Sequence, residues 1–261
     1  MSHTGLKRTG NDCFYTKPEI SKKLVEELKK VIKFSNFDLI VEPSAGSGSF
    51  IDALGCKVTG YDIEPKRSDI IKQDFLELDT STFVGKVLVV GNPPFGKNSS
   101  LAIKFIKKIA GFAQTFALVL PKSFKKQSRI DKIPLYFHKI LEFDLPKNAF
   151  TIENAEVDVP CSFFVYEKKQ YHRETFPKLQ ESSKYKIIKK CETIDKRVVA
   201  FRRVGANAGK FIYSDIQNLS KESHYFIHVI QDLDFDSCIF ECDNTVGPRS
   251  ISKQELISQL N

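Results

Sequence analysis

Over the first two-thirds of the chain, short β-rich apolar runs alternate with stretches of helical periodicity, and no other feature restricts the fold as much. The runs are residues 38–42 (DLIVE), 57–62 (KVTGYD), 86–91 (KVLVVG) and 115–120 (TFALVL). Helical patterns fill residues 19–32, 49–54 and 101–112. In the last of these Leu101, Phe105, Ile109 and Phe112 recur at helical spacing, with Lys104, Lys107 and Lys108 among the other positions. Strand–helix alternation predicts a parallel sheet covered on both faces. Residues 139–145 and 159–167 then read as two strands with no helix between them, which predicts an antiparallel hairpin closing the sheet. A polar stretch at 168–183 (KKQYHRETFPKLQESS) marks a boundary, giving an α/β domain at 1–170 and a small α+β module at 171–261. That module holds strand-like runs at 186–188, 197–203, 225–230 and 238–241. It ends in a helix that Ser252 and Glu255 can open as a capping box.

No apolar run approaches the ~18 residues of a membrane span, and the N-terminus has no signal-peptide-like apolar stretch. The six cysteines are scattered without a CxxC, as expected of reduced thiols in a cytoplasmic protein. Membrane, secreted-disulfide and mostly disordered classes are therefore excluded. The net charge of +8 asks for an acidic partner, nucleic acid being the commonest. Residues 97–139 carry ten Lys/Arg against Asp131 alone, and residues 171–214 carry eleven against four acids. Residues 215–261 reverse the balance, with three against eight. Solvated lysines on helix faces would give the same counts, so the charge becomes informative only beside a site.

Such a site is written directly after the VLVVG run, as Asn92-Pro93-Pro94-Phe95. Two prolines make a rigid loop at a strand's C-terminal end, where open α/β sheets keep their active sites. The Asn92 carboxamide oxygen and the Pro93 carbonyl can accept both hydrogens of an exocyclic amine, and Phe95 can stack on a planar ring. A second feature, Glu42-Pro43-Ser44-Ala45-Gly46-Ser47-Gly48, reads as strand, glycine turn and helix start, where backbone can approach a ligand closely. A GxG alone is weak, but Asp62 and Ile63 follow at the end of the next strand, where an acid binds ribose hydroxyls in nucleoside-cofactor folds. No third glycine follows, which disfavours a nicotinamide dinucleotide.

Together these residues resemble the class I S-adenosylmethionine-dependent methyltransferases, specifically the N6-adenine DNA methyltransferases, over roughly residues 12–167. EPSAGSG resembles the family's cofactor loop and NPPF its catalytic tetrapeptide. Phe14-Tyr15-Thr16 resembles the FYT element, and the order of motifs matches the gamma arrangement. The resemblance implies a Rossmann-like methyltransferase sheet and S-adenosylmethionine as cofactor. It also implies transfer to the N6 amine of a flipped adenine in DNA. Residue by residue, it makes Asn92, Pro93, Pro94 and Phe95 catalytic. Asp62 and Ile63 would hold the ribose side, and Asp74 with Phe75 the cofactor adenine. Glu42, Pro43, Gly46, Gly48 and the Phe14–Thr16 element would hold the methionine end. Phe150 is the candidate for the base's other face. Lys122, in FALVLPKSF, and Arg202, Arg203 and Lys210, in the basic module, are candidates for the substrate side.

His224/His228 and Cys238/Cys242 look like paired zinc ligands, but four residues along a strand span about 13 Å, too far for bonds of about 2.0–2.3 Å to one ion. No metal is expected. A cytosine-C5 mechanism would want its Pro-Cys where NPPF stands, whereas Pro160-Cys161 lies on a later strand. Two alternatives stay open: an RNA N6-adenine methyltransferase, and a non-catalytic subunit of the same fold that only binds nucleic acid.

Overall fold

The computed structural model describes residues 14–153, 155–190, 196–240 and 249–261. They form two compact units, one ending at Glu174 and one beginning at Thr175.

In chain order the first unit contains β1 (Tyr15–Thr16), α1 (Pro18–Val31), β2 (Leu39–Glu42), α2 (Ser49–Leu54), β3 (Thr59–Asp62), β4 (Ile71–Lys72) and β5 (Val87–Gly91). It continues with α3 (Ser100–Ile109), β6 (Thr115–Pro121), α4 (Gln127–Ile130), β7 (Phe137–Asp144), β8 (Phe150–Ile152), β9 (Ala155–Val157) and β10 (Cys161–Lys168). Seven of the strands make one sheet in the order β4-β3-β2-β5-β6-β10-β7. The first five run parallel, and β10 runs antiparallel to both β6 and β7. Every residue of β5 and β6 is buried, as continuous apolar runs in the middle of a two-faced sheet must be. Pro18 opens α1, where its missing N–H costs nothing, and the helix buries Leu24, Val25 and Leu28. From α3, Ala102, Phe105, Ile106 and Ile109 enter the core cluster that includes Phe116 and Phe164. The neighbouring Phe163 points the other way and stacks on Phe50 of α2 with centroids 6.4 Å apart, inside the span of about 4.5–7 Å for aromatic pairs.

Because β6 and β7 run one way and β10 the other, the excursion between β7 and β10 leaves from the edge where the parallel strands end. There β8 and β9 form a hairpin, and β8 pairs antiparallel with β1, Tyr15 opposite Thr151 and Thr16 opposite Phe150. The Lys17 amide adds a hydrogen bond to the Ala149 carbonyl (3.1 Å), and the Lys17 ammonium pairs with Glu156. This three-stranded minisheet is absent from the expected organisation. It pins the FYT segment to the sheet's C-terminal edge.

The second unit carries β11 (Tyr185–Ile188), β12 (Val198–Arg202), β13 (Phe211–Ile212), β14 (His224–Val229) and α5 (Lys253–Leu260), with antiparallel order β11-β14-β12-β13. Tyr185, Phe201 and Ile227 pack against Leu256 and Leu260 of α5, while Val198, Ala200 and Phe226 pack against Ile216 on the opposite face. The Ser252–Glu255 capping box opens α5 as expected. Residues 238–240 are not a strand, which corrects that expectation; Glu241 and Cys242 lie outside the described residues. His224 and His228 do sit on one strand, and no metal-type cluster occurs among the described residues. No helix among them is long and apolar enough to cross a membrane.

Candidate active site

Three loops meet at the C-terminal ends of β2, β3 and β5. After β2 the chain turns through Gly46 and Gly48, both in the left-handed region (φ +50° and +82°). A Cβ on Gly46 would lie 2.8 Å from the Tyr15 ring, and one on Gly48 2.4 Å from the Arg67 guanidinium, so a side chain at either position is strained by its φ, would crowd the Tyr15 ring at Gly46, and would have to displace Arg67 at Gly48. The Gly46 amide donates to Asp62 Oδ2 (2.7 Å) and the Glu64 amide to Oδ1 (2.8 Å). Asp62 thus ties the glycine turn to the end of β3 while each oxygen keeps a lone pair for a ligand. Ile63, beside it, is 60% exposed, an apolar side chain left open at the rim. Gln73 N–H donates to the Asp62 carbonyl (2.9 Å), which brings the Gln73–Asp74 turn alongside. The Asp74 carboxylate is exposed and accepts from the Leu76 amide (2.8 Å).

Glu42, the last residue of β2, is 2% exposed, and its Oε2 has no hydrogen-bond partner. Burial holds this carboxyl well above the usual carboxylate range, and the nearby Asp62 charge pushes the same way; a backbone hydrogen bond from Ile51 and the Arg67 charge only oppose it. On β1, Thr16 is 5% exposed and its hydroxyl is likewise unpartnered. After β5, the Asn92 side-chain amide donates to the Phe14 carbonyl (2.9 Å), and its Oδ1 is buried without a partner. Ser44 Oγ donates to the Asn92 carbonyl (3.1 Å), joining the glycine turn to the NPPF loop. The Phe95 carbonyl accepts from Leu101 and Ala102 N–H, so the loop feeds straight into α3. Pro93 is buried, Pro94 exposed, and Phe95 half-buried with its ring near-parallel to that of Phe14.

Other expected site residues stand elsewhere. The Phe75 ring is 1% exposed and stacks on Phe105 at 5.3 Å, so this side chain is core and not a cofactor contact. Phe150 is fully buried in β8, its ring meeting the Phe14 ring edge-on, which corrects its assignment to the face of an incoming base. Lys122, just after β6, is ion-paired with Asp144 (3.3 Å). Burial pushes the Asp144 carboxyl up, but hydrogen bonds from Lys125, Ser162 and Lys122 outweigh that and hold it at about 2. Cys161 is fully buried, and burial pushes its thiol up, as a nucleophile could not tolerate. In the second unit Arg202 bonds the Val204 carbonyl (2.8 Å) and reaches His224, and Arg203 lies 4.9 Å over the Tyr225 ring. These two guanidiniums serve their own unit instead of projecting freely; Lys210 is exposed.

Sequence reasoning missed Ser44 and Arg67. Arg67 bridges Asp52 and Asp69 (2.7 Å each) and covers Gly48; the glycine's need for space was the available signal.

A parallel sheet whose sole reversed inner strand lies between β6 and β7, with its rim built from the loops after β2, β3 and β5, is the class I S-adenosylmethionine-dependent methyltransferase fold. S-adenosylmethionine fits the groups present. A buried carboxylate with an empty acceptor suits its α-ammonium, a two-oxygen acid its ribose diol, and an open aliphatic rim its adenine. No family model matches the chain. It is similar to the type II methyltransferase M.NspV of Nostoc sp. (strain ATCC 29411 / PCC 7524), 31% identical over 111 residues, which covers 33% of this chain and 23% of that relative. The chain thus spans about a quarter of the relative's length. Among solved structures it is similar to the 23S rRNA methyltransferase ErmE (TM-score 0.45, 14% identity, 61% of this chain and 71% of that one). It is also similar to the M protein of the type I restriction enzyme EcoKI (TM-score 0.42, 15% identity, 60% and 44%).

Proposed function

We propose that this chain transfers a methyl group from S-adenosylmethionine to the N6 amine of adenine in DNA, with the base flipped into the NPPF loop. The observation that carries this reading is Asn92 Oδ1, a buried acceptor with no partner on a proline-stiffened loop at the sheet's C-terminal edge. An unsatisfied buried acceptor is costly unless a ligand completes it, and an exocyclic amine is the donor that fits.

When bound, S-adenosylmethionine supplies the electrophilic sulfonium methyl. The chain's residues do the rest. Glu42, Gly46, Asp62 and Ile63 hold the cofactor, with Thr16 from the minisheet. Adenine N6 is a poor nucleophile because its lone pair is delocalised into the ring. Hydrogen bonds from the amine to Asn92 Oδ1 and to the Pro93 carbonyl favour a pyramidal nitrogen whose lone pair is directed away from both acceptors. No base need remove a proton first; the extra proton leaves for solvent after transfer. Phe95 stacks on the base and offsets part of the few kcal/mol that flipping costs. The basic segments at 97–139 and 171–214 would meet phosphates, and a cytoplasmic site of action goes with such a substrate.

DNA is favoured over RNA by the similarity to a type II methyltransferase. The test is transfer of labelled methyl onto duplex DNA, single-stranded DNA and RNA side by side, with nucleoside analysis of the product. N6-methyladenine in DNA is the expected result. Label confined to RNA would move the substrate, and no transfer to any nucleic acid would reject the reading.

A further inference from the structure

The segment after β4 carries Asp74, the acid expected on the cofactor's adenine, yet it lies in no strand or helix. Backbone carbonyls outside regular elements must find their donors elsewhere. Two of them, on Leu76 and Leu78, find the same one: the Lys108 ammonium donates to both, at 2.7 and 2.6 Å. We propose that Lys108 is a positioning residue for cofactor selection, holding this turn so that the Asp74 carboxylate meets the amine edge of adenine. The inference rests on the function proposed above, because it takes S-adenosylmethionine as the ligand.

Three contacts set the turn's place. At its start the Gln73 amide donates to the Asp62 carbonyl (2.9 Å), which keeps it beside the acid assigned to the ribose. In its middle the buried Phe75 ring stacks on Phe105 of α3 at 5.3 Å. At its end Lys108, one helical turn beyond Phe105 on the same face of α3, reaches both carbonyls. Lys104 and Lys107 of this helix are exposed, whereas Lys108 is half-buried and its ammonium lies 5.8 Å from the Phe75 ring centroid. Its two hydrogen bonds are charge-assisted and short, the strong kind. The Leu76 amide in turn donates to Asp74 Oδ1 (2.8 Å), so holding Leu76 holds the carboxylate and leaves Oδ2 for a ligand. The other end of α3 is fixed by the Phe95 carbonyl, so one ten-residue helix bears both the NPPF loop and the adenine turn.

The experiment measures, by calorimetry, binding of the demethylated product S-adenosylhomocysteine and of its inosine analogue, whose purine carries an oxygen in place of the amine. A carboxylate accepts from the amine and repels the oxygen, so wild type should prefer the adenine compound by at least about tenfold. Lys108→Met keeps a stem against Phe75 but has no donor. It should weaken the adenine compound about tenfold, leave the analogue within about twofold, and so cancel most of the preference. Asp74→Ala should give the same pattern. Lys108→Gln, with a shorter stem and one amide, should fall between, and it carries the test should the methionine variant not fold. Wild-type preference in the folded Lys108 variant or in Asp74→Ala would overturn the assignment. So would an equal loss of both ligands, the mark of a merely structural role, or a wild type that binds both compounds alike. A wild type that binds neither compound would instead bring down the proposed function itself.

Discussion

The Asn92 side-chain amide donates to the Phe14 carbonyl across 2.9 Å, which leaves the oxygen of the same carboxamide buried and unpaired. One planar group therefore performs two tasks: its nitrogen anchors the N-terminal segment, and its oxygen awaits a donor. Asn92→Ala removes both and should lower the methylation rate by about 10²–10³, the loss typical of a pre-aimed polar group at a reacting centre. Cofactor affinity measured by calorimetry should stay close to wild type, since Glu42 and Asp62 remain. Near-native turnover in Asn92→Ala would refute the amine-acceptor role.

Asp62 is bound to Gly46 and Glu64 amides and keeps lone pairs for a diol. Asp62→Ala should weaken cofactor binding by about 1.5–3 kcal/mol, the range for hydrogen bonds to a charged group. Gly46→Ala should do comparable damage by another route, because a Cβ there at φ +50° meets the Tyr15 ring at 2.8 Å. Calorimetric titration of both folded variants checks this; unchanged affinity in Asp62→Ala would remove the ribose assignment.

If Glu42 faces the cofactor's ammonium as proposed, cofactor binding should depend on pH. Its folded-state pKa is raised by burial, so between the ordinary carboxylate range and that raised value the free protein holds a proton that the unfolded chain lacks. Stability of the free protein should consequently fall as pH rises through this window and then level off. A bound ammonium stabilises the ionised carboxylate, so binding expels the proton, and affinity should rise with pH over the same window. Glu42→Gln should flatten both profiles. Calorimetry in two buffers of different ionisation heat would register the released proton; zero release in wild type would show that Glu42 does not face the ammonium.

The parts of this molecule that were legible in the sequence are those where local pattern and tertiary role agree. Continuous apolar runs such as VLVVG and TFALVL are buried on both faces, and the motif-bearing turns follow them directly. The minisheet was not legible. Its strands are two or three residues long, carry Glu156 and Thr151, and join segments about 135 positions apart, so no local period announces them. The place of β10 was partly readable. CSFFVY is apolar but for Ser162 and is buried throughout, as an inner strand is, whereas HKILEFD in β7 carries charges suited to an edge. Residues 238–240 illustrate the opposite failure, a short apolar run whose Cys238 and Phe240 pack against the cluster that includes Leu256 and Leu260 of α5, while Ile239 stays exposed and none of the three lies in a strand.

The last prediction concerns the basic module. Arg202 and Arg203 are held by their own unit, through the Val204 carbonyl, His224 and the Tyr225 ring, so their charge is half-buried and geometrically committed. Lys186, Lys189 and Lys210 are exposed, and solvated lysines are the groups that can move onto phosphates and release counterions. Replacing all three with alanine should flatten the dependence of log affinity on log salt by up to about 0.9 per lost duplex contact. Fold and melting temperature should change little, because these side chains are exposed. Arg202→Ala/Arg203→Ala should show the reverse, a lower melting temperature with a smaller change in salt slope. Binding isotherms at four or five salt concentrations, with thermal melts on the same preparations, separate the two patterns. If the triple lysine variant kept both the wild-type slope and affinity, the second unit would have no electrostatic hold on DNA. The phosphate contacts would then fall to residues 97–139, which follow the NPPF loop and carry ten basic residues, three of them on α3, against one acid.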